Sequence, residues 1–262
     1  MLGKLVKYDL AWINKSLSIF FIISLIVSSL TRLSNLFTNS FVGEIIHSIL
    51  RGATIGSIIA LIINCAIRIW ARLRNNFYKD ESYLTHTLPV NKSTLYDSKI
   101  VSAIITLMIS LIVVIITILI AYLDSDMINK IKDIFNNSDA TFIFISLILS
   151  FILELFYMAL CGFLGIIIGH RSNNGKLATS VVIGIILYFA IQTVMVVIMF
   201  AFSFINGDVN MLFTNNNNLV PDAHFSSGVK LLTVIANSIY ALFVIVMYIV
   251  GKKIFNKGVN VE

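Results

Sequence analysis

Glu154 is the residue in this sequence best placed to do chemistry in an apolar setting. It stands within "LILSFILELFYMAL", where helical spacing puts Ser150, Tyr157, Met158 and Cys161 on its face. A carboxylate at the middle of a membrane span costs at least ~2.5 kcal/mol, so it must face a wet cavity or a partner. Two readings fit. One is a substrate-pathway or protonatable site; the other is a hydrogen-bonded tie between helices, with Asn64 or Gln192 as partner. Other reactive arrangements are missing. There is no HExxH, no GxSxG and no pair of aspartates inside an apolar run. His47, His86, His170 and His224 have no second ligand at metal spacing, so no metal is expected. Cys65 and Cys161 lie in apolar runs without a CxxC and read as small buried hydrophobes.

A phosphate-binding loop is the remaining possibility, and "GHRSNNGKL" from Gly169 is the nearest approach to one. It fails on chemistry. Five residues separate Gly169 from Gly175, where the loop needs four, and Leu177 stands where a hydroxyl must reach magnesium. His170, Arg171 and Lys176 read instead as a partner contact or as charges that fix topology. Neither nucleotide hydrolysis nor any other enzyme activity is expected of this chain by itself.

The elements that carry these residues follow from composition. The 262 residues are 58% hydrophobic and 12% charged, with a mean hydropathy of +0.94. A soluble domain carries about 25% charged residues, so the chain reads as a membrane protein. Six apolar runs are long enough to span a bilayer as helices: about 17–37, 49–71, 100–123, 141–168, 177–205 and 231–250. The pattern predicts an all-α polytopic membrane protein forming one transmembrane domain. The first run lacks a small-residue cleavage pattern and reads as a retained span.

Charge orients the bundle. With the N-terminus inside, only Arg32, Arg51, Lys130, Lys132 and Lys230 fall outside, leaving 14 of the 19 basic residues cytoplasmic. Both termini are then cytoplasmic. Residues 1–16 read as a separate amphipathic helix lying in the interface. Lys4, Lys7, Asn14 and Lys15 share one arc, and Leu2, Leu5, Val6, Leu10, Trp12 and Ile13 hold the other. Asp9 falls within the apolar arc and needs a counter-charge, for which Arg72 and Arg74 are candidates.

Between the second and third runs lies a polar insert, "FYKDESYLTHTLPVNKSTLYDSK", from Phe77 to Lys99. Asp80 and Glu81 favour a helix N-terminus, and Ser82 to Leu88 can form two turns that Pro89 closes. Asn91 is placed to cap the next helix. The predicted short helix presents Tyr83, Leu84, His86 and Leu88 between charged flanks, as a small docking surface does. An ordinary connecting loop is the plainer reading. In the second run, Gly52, Gly56, Ala60 and Asn64 recur every four residues, and Gly165 and Gly169 do so in the fourth. Both patterns let helices approach closely, within the chain or across a dimer.

The insert "DESYLTHTLPVNKSTLYDSK", the amphipathic start, the six spans and the cytoplasmic ends together resemble the permease subunit of an ABC-2 type transporter. The resemblance covers essentially the whole chain. It implies that residues 80–89 (Asp80, Glu81, Tyr83, Leu84, Thr85, His86, Thr87, Leu88 and Pro89) form a coupling helix. Such a helix docks on one of two separate ATPase subunits, which bind ATP and magnesium. It further implies a second permease copy or paralogue, a bacterial cell membrane, and export of a peptide or other amphipathic molecule. Antimicrobial peptide export or immunity is one form of that function. Residues 206–230 depart from the family, being mostly polar where relatives carry an apolar hairpin. Two other classes stay open: a self-sufficient carrier or channel using Glu154, and a non-transporting scaffold or sensor.

Overall fold

The computed structural model describes residues 1–38, 40–79, 81–87, 89–172, 175–205 and 223–258. The polar segment 206–222, with Asn215 to Asn218, lies outside them, as do Asp80 and Leu88. The described chain is helical: α1 (Leu2–Ser34), α2 (Phe41–Tyr78), α3 (Ser82–Thr87), α4 (Lys92–Tyr122), α5 (Ser125–Asn136), α6 (Ser138–Gly169), α7 (Lys176–Ile205) and α8 (Ala223–Asn256). No strand occurs among the described residues. Helices α1, α2, α4, α6, α7 and α8 are each long and apolar enough to cross a membrane, which makes this a helical multi-pass membrane protein.

The helices outrun the apolar runs that reveal them. Helix α1 has 33 residues, or roughly 50 Å of helix against a hydrocarbon core of about 30 Å. The expected separate element at residues 1–16 is therefore corrected: Leu2–Ser34 is one unbroken helix. No glycine or proline lies near the supposed junction, and Ser18 there bonds back to the Lys15 carbonyl at 3.0 Å within the helix instead of ending it. Helix α5 was not anticipated. Met127, Ile128, Ile131, Ile134 and Phe135 recur at helical spacing within its polar sequence.

The chain divides into two compact units, Met1–Lys130 with Lys252–Glu262, and Ile131–Gly251. In the first, α1 packs against both α2 and α4, and successive long helices run antiparallel. The packed faces mix large apolar residues such as Leu17, Leu61 and Leu107 with many small polar ones. Ser24, Ser28 and Thr31 of α1 are buried, while Ile19, Ile22, Ile26 and Leu33 are exposed. Helix α4 likewise buries Ser102, Thr106, Ser110 and Thr117 and exposes Ile112 and Ile115. Lipid is as apolar as leucine, so membrane helices meet where small residues let backbones approach. Hydroxyls also cross the seams: Thr31 Oγ1 lies 2.7 Å from Thr54 Oγ1, and Ser110 donates to Cys65 Sγ at 3.2 Å. Before α2, Ser40 caps the helix by accepting from Gly43 N at 3.1 Å. A Cβ at Gly43 would fall 1.8 Å from the Phe37 carbonyl oxygen, so only glycine fits this corner.

In the second unit, α6 and α7 touch backbone to backbone. A Cβ at Gly165 would lie 2.5 Å from Ser180 O, and one at Gly169 2.4 Å from Ser180 N. Tyr157 donates to the Leu187 carbonyl across the same seam. Helix α8 joins through Asn237, which donates to Ser146 O at 3.1 Å and accepts from Ser150 Oγ at 2.7 Å. Asn137 caps α6 by accepting from Asp139 N at 3.0 Å, and Lys230 pairs with Asp139.

Candidate functional site

The insert after α2 is anchored by a buried ion cluster. Asp9, on α1, is 1% exposed. Its Oδ1 accepts from Arg72 Nε at 2.7 Å, and both its oxygens accept from Lys99 Nζ at 2.7 Å. Arg72 stands near the end of α2 and Lys99 in the second turn of α4. The Arg72 guanidinium divides its donors: Nε serves Asp9, while Nη1 reaches Glu81 Oε2 at 2.8 Å. Asn76 donates to the same Glu81 oxygen and accepts from Lys99. Two carboxylates thus meet two cations, and Asn76 joins them from both sides. Aromatic faces complete the surround, with Arg72 5.3 Å from the centroid of Trp12 and Lys99 5.7 Å from that of Phe77.

The last turn of α8 closes this end of the first unit. Phe255 is fully buried, its ring 4.5 Å from Phe77 and 5.7 Å from Tyr96 between centroids. Lys252 pairs with Asp97 at 2.8 Å.

Helix α3 has two faces. Ser82 and Thr85 are buried, and Thr85 Oγ1 donates to the Glu81 carbonyl at 2.9 Å. Tyr83 and Leu84 point away, 75% and 69% exposed. Thr87 and Pro89 are exposed too, and Thr87 donates back to Leu84 O at 3.0 Å. His86 belongs to α3, but its side chain, like Asp80 and Leu88, is outside the described residues. Glu81 does not cap α3 as its position implies; Arg72 and Asn76 take its carboxylate instead. Asn91 occupies the N-cap position of α4 without a side-chain cap bond.

Arg72 was anticipated as the partner of Asp9; Lys99 and Asn76 were not. A signal for Lys99 existed. Lys99, Ser102, Thr106 and Ser110 form a polar stripe at helical spacing, which marks the buried side of an otherwise apolar helix.

Glu154 has different company. Its Oε1 accepts from Tyr188 Oη and Gln192 Nε2, each at 3.1 Å, and Gln192 also donates to Tyr240 Oη at 3.4 Å. Gln192 is thus the partner expected. Asn64, the alternative, donates to the Ala60 carbonyl of its own helix at 2.8 Å. That i−4 carbonyl lies within reach of any short amide on a helix, so Asn64 needs no distant partner. Gly52 and Gly56 are corrected as packing sites within the chain: a Cβ at either meets nothing within 4 Å. His170, weighed as a partner contact, is buried against Ile166 O at 2.9 Å and Ser180 Oγ at 3.3 Å. Among the described residues no three of His, Cys, Asp and Glu gather as a metal site would require.

No family model, no curated protein and no solved structure matches the chain.

Proposed function

We propose that this chain is the permease subunit of an ATP-binding cassette exporter of ABC-2 type. It sits in a bacterial cell membrane with both termini cytoplasmic, beside a second permease copy or paralogue. Two separate ATPase subunits supply energy from ATP and magnesium, and the load is a peptide or other amphipathic molecule, including one handled in antimicrobial peptide export or immunity. The observation that carries this reading is the two-sidedness of residues 81–87. Tyr83 and Leu84 are free to enter a partner, while Glu81 is tied through Arg72 to Asp9 and Lys99. A push on α3 therefore arrives at the roots of α1, α2 and α4 together. Transport requires such a link, because a partner shifts a conformational equilibrium only through contacts that differ between its states.

Co-purification from native membranes tests it, with wild type beside a Tyr83→Asp, Leu84→Asp double variant. Both side chains are exposed, so the variant keeps its fold. An ATPase subunit accompanies wild type and is lost from the variant. Absence of any ATPase from wild type after gentle cross-linking removes the proposal. A second reading, a self-sufficient carrier, is favoured by one observation: Glu154 meets only neutral donors. It predicts transport indifferent to a co-expressed ATPase.

A further inference from the structure

Among the described residues, the carboxylates that make hydrogen bonds are mostly matched to cations. Asp9 and Glu81 share Arg72, Asp97 has Lys252, Asp124 has Arg32 and Asp139 has Lys230. Glu154 is the exception. It stands 16 residues into α6, about 24 Å from that end at 1.5 Å per residue. Both its hydrogen bonds come from neutral groups and both fall on Oε1. Among the described residues no lysine, arginine or histidine pairs with it. Donors aimed at one oxygen suit a carboxylate, but they do not cancel its charge.

An aromatic cluster packs behind it, with Tyr157 and Tyr240 buried. Tyr157, one turn along α6, has its ring centroid 6.4 Å from Tyr188 and 6.3 Å from Tyr240. Phe243 stands 6.4 Å from Tyr157 on the α8 side. Ring faces attract a cation, and most strongly where water is absent. Glu154, Tyr188 and Gln192 are each only half-buried, and the apolar Ile185 and Phe189 beside them are exposed. The site thus opens onto an apolar surface and not into water. Among the described residues no second carboxylate, histidine or cysteine joins Glu154 in a metal-binding group.

We propose that Glu154, with Tyr188, Phe189 and Gln192, binds a lipophilic organic cation of the quaternary ammonium or phosphonium class. The carboxylate supplies the counter-charge, and the Tyr188 and Phe189 rings, 5.9 Å apart between centroids, supply the wall. Gln192 and Tyr188 hold the carboxylate so that Oε2 faces the ligand. The proposal stands apart from the ATPase reading, because binding is measured on this chain alone.

The test uses the full chain in nanodiscs of uncharged lipid. The probe is tetraphenylphosphonium, with tetraphenylborate as an anion of the same shape. Wild type binds the phosphonium saturably near one per chain and shows no saturable borate binding. Glu154→Gln keeps an acceptor for Tyr188 and Gln192 and weakens phosphonium binding at least ~tenfold; Glu154→Asp retains it. Equal binding of the two probes to wild type overturns the proposal, and that comparison needs no variant to fold. So does a wild type without saturable phosphonium binding, or a folded Glu154→Gln that binds as wild type does. The last two results leave Glu154 as a hydrogen-bonded tie between helices and do not touch the coupling reading.

Discussion

Asp9 and Glu154 are both carboxylates within long apolar helices, and the two units treat them in opposite ways. The first unit surrounds Asp9 with Arg72 and Lys99 and buries all three. The second gives Glu154 two neutral donors and leaves it half-buried. A charge met within the chain ties helices together. A charge left unmet is available to something else. The first arrangement is a joint, and the second has the character of a site.

Removing Asp9 is the sharpest way to break the contrast. Asp9→Ala strands Lys99 and half of Arg72 in a buried place, and the loss of stability is about 3–5 kcal/mol. Unfolding of the purified protein in mild detergent reads this directly. A drop below ~1 kcal/mol means that water already reaches the cluster. Next in size is a change that exchanges the roles of the two units. Gly169→Leu drives a side chain into Ser180 of α7 and destabilises by roughly 1–3 kcal/mol, whereas Gly52→Leu enters open space and changes stability by under ~0.5 kcal/mol. A large loss at Gly52 in the assembled protein, but not in the monomer, identifies the Gly52 face as a contact between chains. A small effect belongs also to Glu154→Gln. Because no cation among the described residues depends on Glu154, stability stays level or rises by under ~0.5 kcal/mol. A marked loss in the same unfolding experiment shows that the carboxylate is structural after all.

The six spans were legible because about 20 apolar residues in a row have few other uses. Their ends were not. Hydropathy registers the hydrocarbon segment, while the backbone stays helical into polar sequence, as in Phe41–Tyr78 around the run 49–71. The same difference hid the unity of α1, whose lysine-bearing start and apolar remainder look like two elements. Helix α5 escaped because its apolar stripe lies in polar sequence that composition assigns to a loop. The pairing of Asp9 with Arg72 could be anticipated, since a carboxylate on an apolar arc demands a cation and few are nearby. Lys99 could not be placed by that argument, lying 90 residues from Asp9 with only the serine and threonine stripe beneath it as a sign. Tyr188 and Tyr240 were hidden for a related reason. Tyrosine is common in spans, and only the packing of α6 with α7 and α8 brings these two toward Glu154 and Gln192.

The hydroxyl seams of the first unit bear on how its helices move. Ser24 and Ser28 donate to carbonyls of their own helix, as do Thr106 and Thr117. Each donor is satisfied whether or not the neighbouring helix is in register. Sliding one helix past another leaves these four hydroxyls satisfied, and parts cross-helix contacts such as those of Ser110 with Cys65, Ser34 with His47 and Thr31 with Thr54. Resistance is strongest at the buried Asp9 end, where shifting any one helix parts opposite charges, and weaker at the other end, where the exposed Arg32–Asp124 pair joins α1 to the end of α4. The unit is a set of rods clamped firmly at one end by a buried cluster and more loosely at the other by an exposed ion pair.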